Sequence, residues 1–272
     1  MKNLSVMRGA LRHEFGMQIR RRAVWVVIVF LGGFVALIWY GNASDYLTGF
    51  YTNAHGAGPH VWVSPSTTTA VLYWAMLAAR FLPLGVGLLL ADRLVRDRQT
   101  RVDELLQTTP GGLGARLTGK YLGTTLATLV PVLVLYTAVV GYMFSQRPDG
   151  HALVMAALAF PLLLVPSSFF VAGFSLACTL LIKVPIYQFL FIGYWFWGNV
   201  LPAGRGIPTW SGTLLNASGQ WVTDGLLRFE PGALTPRVTA MQALANIALL
   251  VALGLVALVA ADWVVRWRQA AQ

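Results

Sequence analysis

Six apolar stretches separated by polar connections set the limits on what this chain can become. They run roughly from Ala23 to Tyr40, Thr69 to Ala91, Leu117 to Phe144, Ala152 to Ile182, Val184 to Leu201 and Val238 to Trp263. Each reaches the roughly 18–20 residues that a helix needs to cross about 30 Å of hydrocarbon. Charged residues make up only 11% of the chain and apolar ones 57%, whereas a soluble chain carries about 25% charged residues. The expectation is therefore an all-α, polytopic membrane protein with six transmembrane helices. The fourth and fifth stretches are parted only at Lys183 and Pro185, which predicts a tight helical hairpin there.

Basic residues near span ends resist translocation, so their distribution gives an orientation. With the N-terminus inside, fifteen Lys and Arg fall on cytoplasmic segments, and only Arg147, Arg205, Arg228 and Arg237 fall outside. Both termini are then cytoplasmic, in a multi-pass protein of the cell (plasma) membrane. The net charge of +10 is explained by this asymmetry and by anionic lipid headgroups, without a nucleic-acid partner.

Before the first span, Leu4, Met7, Leu11 and Phe15 recur at helical spacing among Lys2, Arg8, Arg12 and Arg20. This pattern fits a helix over about residues 3–20 lying in the cytoplasmic interface, or an anchor that sets topology. The basic region is too long, and the apolar core that follows too extended, for a cleaved signal peptide. The single cysteine, Cys178, cannot form an intrachain disulfide.

Three connections are long enough to carry structure of their own: outer loops 41–68 and 202–237 and the cytoplasmic loop 92–116. The second outer loop holds Trp210, Leu214, Leu215, Trp221, Leu226, Leu227 and Phe229 among glycines and prolines. That is too apolar for a solvated loop, and it predicts a re-entrant or interfacial hairpin before the last span. The cytoplasmic loop combines dense mixed charge with Val102, Leu105 and Leu106, which predicts a short amphipathic helix. Pro110, Gly111 and Gly112 end it.

Arg98, then Asp103-Glu104-Leu105-Leu106, then Thr109-Pro110, then Gly119-Lys120 at the entry to a span together resemble the permease subunits of type-2 ABC exporters. The resemblance implies a cytoplasmic coupling helix that docks on separate cytosolic ATPase subunits. It implies that Arg98, Asp103, Glu104, Leu105, Leu106, Pro110 and Lys120 serve that coupling, with Lys183 near a second contact. It further implies export, a second permease copy or paralogue as partner, and ATP with magnesium bound only in the ATPase. This chain departs from the family pattern at Arg96-Asp97-Arg98-Gln99-Thr100 and at Gly111-Gly112.

Gly114-Ala115-Arg116-Leu117-Thr118-Gly119-Lys120 imitates a phosphate-binding loop, but Tyr121 stands where Ser or Thr would hold magnesium. No strand precedes it, so Gly119 and Gly123 are better read as a close helix contact. Every acidic residue lies outside the apolar stretches or at their ends, which weighs against an ion-coupled secondary transporter. The four histidines fall on different segments, with only His55 and His60 near each other, so a polytopic membrane enzyme is weaker still. No catalytic residue, metal site or cofactor is expected in this chain.

Arg80, in the middle of the second stretch, is the one conspicuous charge within a span. It is either a site on a hydrated path that meets an anionic group, or a structural arginine bonded to carbonyls such as that of Ala79, which Pro83 leaves unpaired. Tyr194 and Trp197 belong to an aromatic run that packs against lipid or lines a hydrophobic path, so Arg80, Tyr194 and Trp197 form the candidate substrate path. Pro161 and Pro166 should bend the fourth stretch.

Overall fold

The computed structural model describes residues 2–53, 60–93, 112–202, 206, 208–228 and 238–270. It is helical almost throughout. Helix α1 (Lys2–Ile19) leads into α2 (Arg22–Ala43) and a single turn, α3 (Asp45–Thr48). A two-stranded antiparallel hairpin follows, β1 (Phe50–Asn53) and β2 (His60–Val63), with Phe50 opposite Val63. This small hairpin was not anticipated from the sequence. Next come α4 (Thr67–Leu90), α5 (Leu113–Gln146) and α6 (Gly150–Ala159). A π-helical turn, Phe160–Leu164, joins α6 to α7 (Val165–Cys178). Then follow α8 (Val184–Trp195) with its own π-helical end Phe196–Val200, the short α9 (Gln220–Gly225) and α10 (Ala240–Ala270).

Among the described residues, five helical units are long and apolar enough to cross a membrane: α2, α4, α5, the α6–α7 rod and α10. The protein is thus a multi-pass membrane protein, and the expectation of six long spans is corrected to five. Residues 184–201 fall short because α8 and its π-helical end cover only Val184–Val200, about 25 Å at 1.5 Å per residue. The hairpin at Lys183 is present, with α7 ending in turns at residues 179–182 and α8 starting at Val184.

Helix α4 is the axis of the bundle. Its apolar residues are buried on nearly every side, Trp74, Ala75, Ala78, Leu82, Val86 and Leu90 among them. By contrast α2 exposes Val26, Phe30, Phe34 and Leu37, and α10 exposes Leu255, Val256, Val259 and Trp263, as helices facing lipid or a neighbouring chain do. Helices α7 and α10 meet most intimately at Gly173, where a Cβ would come within 2.6 Å of the Gly254 carbonyl. Small residues let membrane helices approach this closely. The π-helical turn sits at Pro161, where the ring removes a backbone donor, in keeping with the expected disruption of the fourth stretch.

Two ends of the bundle can be told apart. Asn3, Arg21, Asp92, Gly112 and Arg266 gather at one end, here the basic end. Thr67, Thr68, Arg147 and Asp149 gather at the far end, where the Thr67 hydroxyl donates to the Arg147 carbonyl at 3.0 Å. There the Asp149 carboxylate caps α6 by accepting from the His151 N–H at 2.9 Å.

Candidate functional site

At the basic end, α1 lies along the first turns of α5 instead of lying only on the lipid interface. Gly119 and Gly123 make this possible: a Cβ on Gly119 would collide with the Met7 carbonyl, and one on Gly123 would lie 2.6 Å from that of Leu11. The two glycines therefore do mark a close helix contact, but with α1 and not with another span. The buried side of α1 carries Glu14 and Gln18, while Leu4 and Met17 stay exposed.

Glu14 is the centre of an ionic joint. Its Oε2 accepts from Arg93 Nη2 at 2.7 Å and from Arg93 Nε at 3.1 Å. Lys120 Nζ lies 3.8 Å from Glu14 Oε1. Glu14 and Arg93 are buried, where removal from water makes a charge tolerable only if it is paired and hydrogen-bonded. Arg21 adds a partly exposed pair with Asp92 at 3.0 Å. Arg93 directly precedes segment 94–111, and Lys120 follows it by nine residues. One carboxylate on α1 thus ties together the two stems of that segment.

Arg98, Asp103, Glu104, Leu105, Leu106 and Pro110 lie within 94–111, outside the described residues, as does the short helix expected there. Of the other coupling candidates, Lys120 belongs to the joint, and Lys183 is exposed at the N-terminal edge of α8. Residues 114–120 are regular helix within α5, so the imitation of a phosphate-binding loop has no loop. Tyr121 instead donates its hydroxyl to the Phe169 carbonyl at 2.7 Å, fixing α5 to α7.

At the far end, residues 208–228 turn back into the bundle, as the loop's apolar composition predicted. Asn216, Ala217 and Ser218 are fully buried. Irregular backbone survives at such depth only where side chains satisfy it. Ser167 donates to the Ala217 carbonyl at 2.6 Å, and Asn199 Oδ1 accepts from the Ala217 N–H at 2.7 Å. Asn246 Nδ2 donates to the carbonyls of Leu214 at 2.7 Å and Asn216 at 2.9 Å.

The candidate substrate path divides in two. Arg80 lines a cavity of about 590 Å³ between α4, the end of α8, and α9, together with Asn199, Ser211, Gln220, Trp221 and Asp224. Tyr194 lines a separate apolar groove of about 550 Å³ with Phe170, Phe174, Phe191, Trp210 and Leu253. Trp197 packs on Trp210 with ring centroids 5.8 Å apart. Bonding of Arg80 to carbonyls does not account for its side chain, since its buried Nε has no hydrogen-bond partner among the described residues. The bond formed here runs the other way: Trp195 Nε1 donates to the Arg80 backbone carbonyl at 2.7 Å.

Sequence reasoning missed Glu14, Arg93, Asn199 and Asn246. Glu14 and Gln18 continue the Met7–Leu11 face at steps of three and four, so polar residues interrupting an apolar stripe were the available signal. Asn199 and Asn246 are amides within apolar stretches, the same signal in another setting. Among the described residues, no group of three or more His, Cys, Asp or Glu could hold a metal ion. Comparison with known protein families and with characterised proteins finds no match to this sequence.

Proposed function

We propose that this chain is the membrane-spanning permease subunit of an ATP-driven exporter similar to the type-2 ABC exporters. It would form the substrate path as a dimer with itself or a related permease, and separate cytosolic ATPase subunits would bind the ATP and magnesium. One observation supports this reading above the others. The segment carrying Asp103-Glu104-Leu105-Leu106 and Thr109-Pro110 springs from two stems that Glu14 joins through Arg93 and Lys120. A force applied to the segment would pass through this buried joint into α1, α4 and α5 together instead of being absorbed by a slack connector. Helix α4 is the most buried helix of the bundle, so a displacement of its basic end reaches every helix packed around it.

In this reading the sixth crossing is composite: α8 covers part of the membrane, and the re-entrant residues beyond it cover the rest. The test is Glu104→Lys. The variant is expected to insert and fold as the parent does, while co-purification of a cytosolic ATPase and the associated ATP hydrolysis fall at least tenfold. A complex that assembles and hydrolyses ATP as the parent does would overturn the proposal.

A further inference from the structure

We propose that the cavity between α4, the end of α8, and α9 binds an oxyanion, a phosphate or carboxylate borne by a lipid headgroup or by a small soluble anion, on Arg80 and Asn199. The inference is independent of the exporter reading, because it concerns occupancy of a site and not coupling to an ATPase.

Two observations converge on it. Arg80 Nε and Asn199 Nδ2 are both buried N–H donors without a hydrogen-bond partner among the described residues, and both residues line this one cavity. Asn199 is 2% exposed and already spends its Oδ1 on the Ala217 N–H, so its orientation is fixed and its amide donor is what it has left to offer. Buried donors without partners are rare in folded proteins and call for an explanation. Two buried donors, with no buried acceptor left unpaired among the described lining residues, select a ligand that accepts, and the guanidinium's charge selects an anion.

The placement fits. Side chains on a helix tilt towards its N-terminus, and the N-terminus of α4 is at the far end. Arg80 is therefore directed from the middle of the bundle towards that end, where the cavity is bounded by Pro202, Gly212 and Val238. Asp224 lines the same cavity, yet among the described residues it forms no ion pair with Arg80. Among the described residues, then, no ion pair neutralises the cation. Trp221 supplies an apolar face beside it, suited to the glycerol or acyl portion of a headgroup-bearing molecule.

The test uses the purified full chain in an uncharged maltoside detergent, with thermal unfolding followed at constant ionic strength. One arm adds dioctanoyl phosphatidylglycerol, a second adds inorganic phosphate against matched chloride, and a third adds dioctanoylglycerol, which has no phosphate. The expected result is a dose-dependent rise in Tm in the first or second arm, absent in the third. A rise in the first arm alone assigns a lipid headgroup, and a rise in the second assigns a soluble anion. Arg80→Gln should abolish the rise. Asn199→Asp should weaken apparent affinity at least tenfold while keeping the oxygen that accepts from Ala217, which guards against misfolding of the first variant. Exposed Arg12→Gln, at the other end of the bundle, should leave the response unchanged. No rise in either phosphate arm, an equal rise with dioctanoylglycerol, or a rise unchanged in both cavity variants would overturn the proposal.

Discussion

Glu14 shows how much one residue can decide in a chain with so few charges. It contacts two cations within 4 Å, Arg93 just beyond α4 and Lys120 on α5, and the site is dry enough that its charge cannot be replaced by solvent. Breaking a buried pair by removing one partner costs about 3–5 kcal/mol, because the surviving charge keeps its desolvation penalty. Glu14→Gln is accordingly expected to lower stability by about 3 kcal/mol, read as a fall in Tm of the purified protein. Glu14→Gln combined with Arg93→Gln should lose less than Glu14→Gln alone, since the double variant leaves fewer buried charges. A double variant at least as unstable as the single would show that Glu14 matters for shape and not for charge. The sequence concealed this role: read one residue at a time, Glu14 is an acidic residue in a basic amphipathic helix. Its partners lie 79 and 106 positions away, and no local spacing announces such a contact.

At the scale of elements, the sequence was most legible where one physical requirement dominates. Helices α2, α4 and α5 lie within a few residues of the stretches that hydrophobicity alone delimits, and α10 follows its stretch and continues beyond it, because a membrane leaves an apolar segment no alternative to internal hydrogen bonding. Legibility failed where helices settle against one another. The amphipathic pattern of α1 predicted an interfacial helix or anchor, and gave no sign that its polar residues Glu14 and Gln18 turn inwards onto α5 while its apolar Leu4 stays exposed. What permits this is the backbone of α5, stripped to hydrogen at Gly119 and Gly123. Gly123→Val would drive a branched side chain into the Leu11 carbonyl and the Glu14 side chain, both under 3 Å from the new Cβ. Helix α1 is expected to leave α5, and tryptic cleavage at Arg8 and Arg12 should accelerate by roughly tenfold, the effect of about 1.4 kcal/mol of lost docking. An unchanged cleavage rate would mean that α1 is held by the Arg93 pair alone. The β-hairpin at residues 50–63 escaped notice for a different reason: its strands are four residues each, too short for alternation to stand out from an irregular loop.

For the molecule as a whole, the number of crossings fixes which surfaces share a compartment. Gly114 at the start of α5 packs beside Asp262 and Arg266 near the end of α10, so α1, the stems of segment 94–111 and the end of α10 occupy the same end. Four long helical units lie between the start of α2 and the turn after α7, and α10 must begin at the far end to finish at the basic one. The chain between Lys183 and Val238 therefore has to climb the whole bundle once. Gln188 Nε2 donates to the Leu88 carbonyl and Trp195 Nε1 to the Arg80 carbonyl, so α8 ascends antiparallel to α4, nearly residue for residue. On that register Val200 is level with about residue 75 of α4, about 12 Å short of Thr67 at 1.5 Å per residue. The buried segment around Asn216–Ser218 turns back to about the level of Ala79, which the Cβ of a residue at Gly219 would meet, so the apolar stretch 184–201 is continued by irregular backbone and not by a longer helix. Single cysteines in a Cys178→Ala background test this account with a membrane-impermeant maleimide. Asn3→Cys, Lys183→Cys and Arg266→Cys should react only after the membrane is permeabilised. Tyr51→Cys and Arg228→Cys should react in intact cells, and Ala217→Cys, fully buried, should react in neither state. Labelling of Arg266→Cys in intact cells while Asn3→Cys stays protected would mean an odd number of crossings, and the composite sixth crossing would then be wrong.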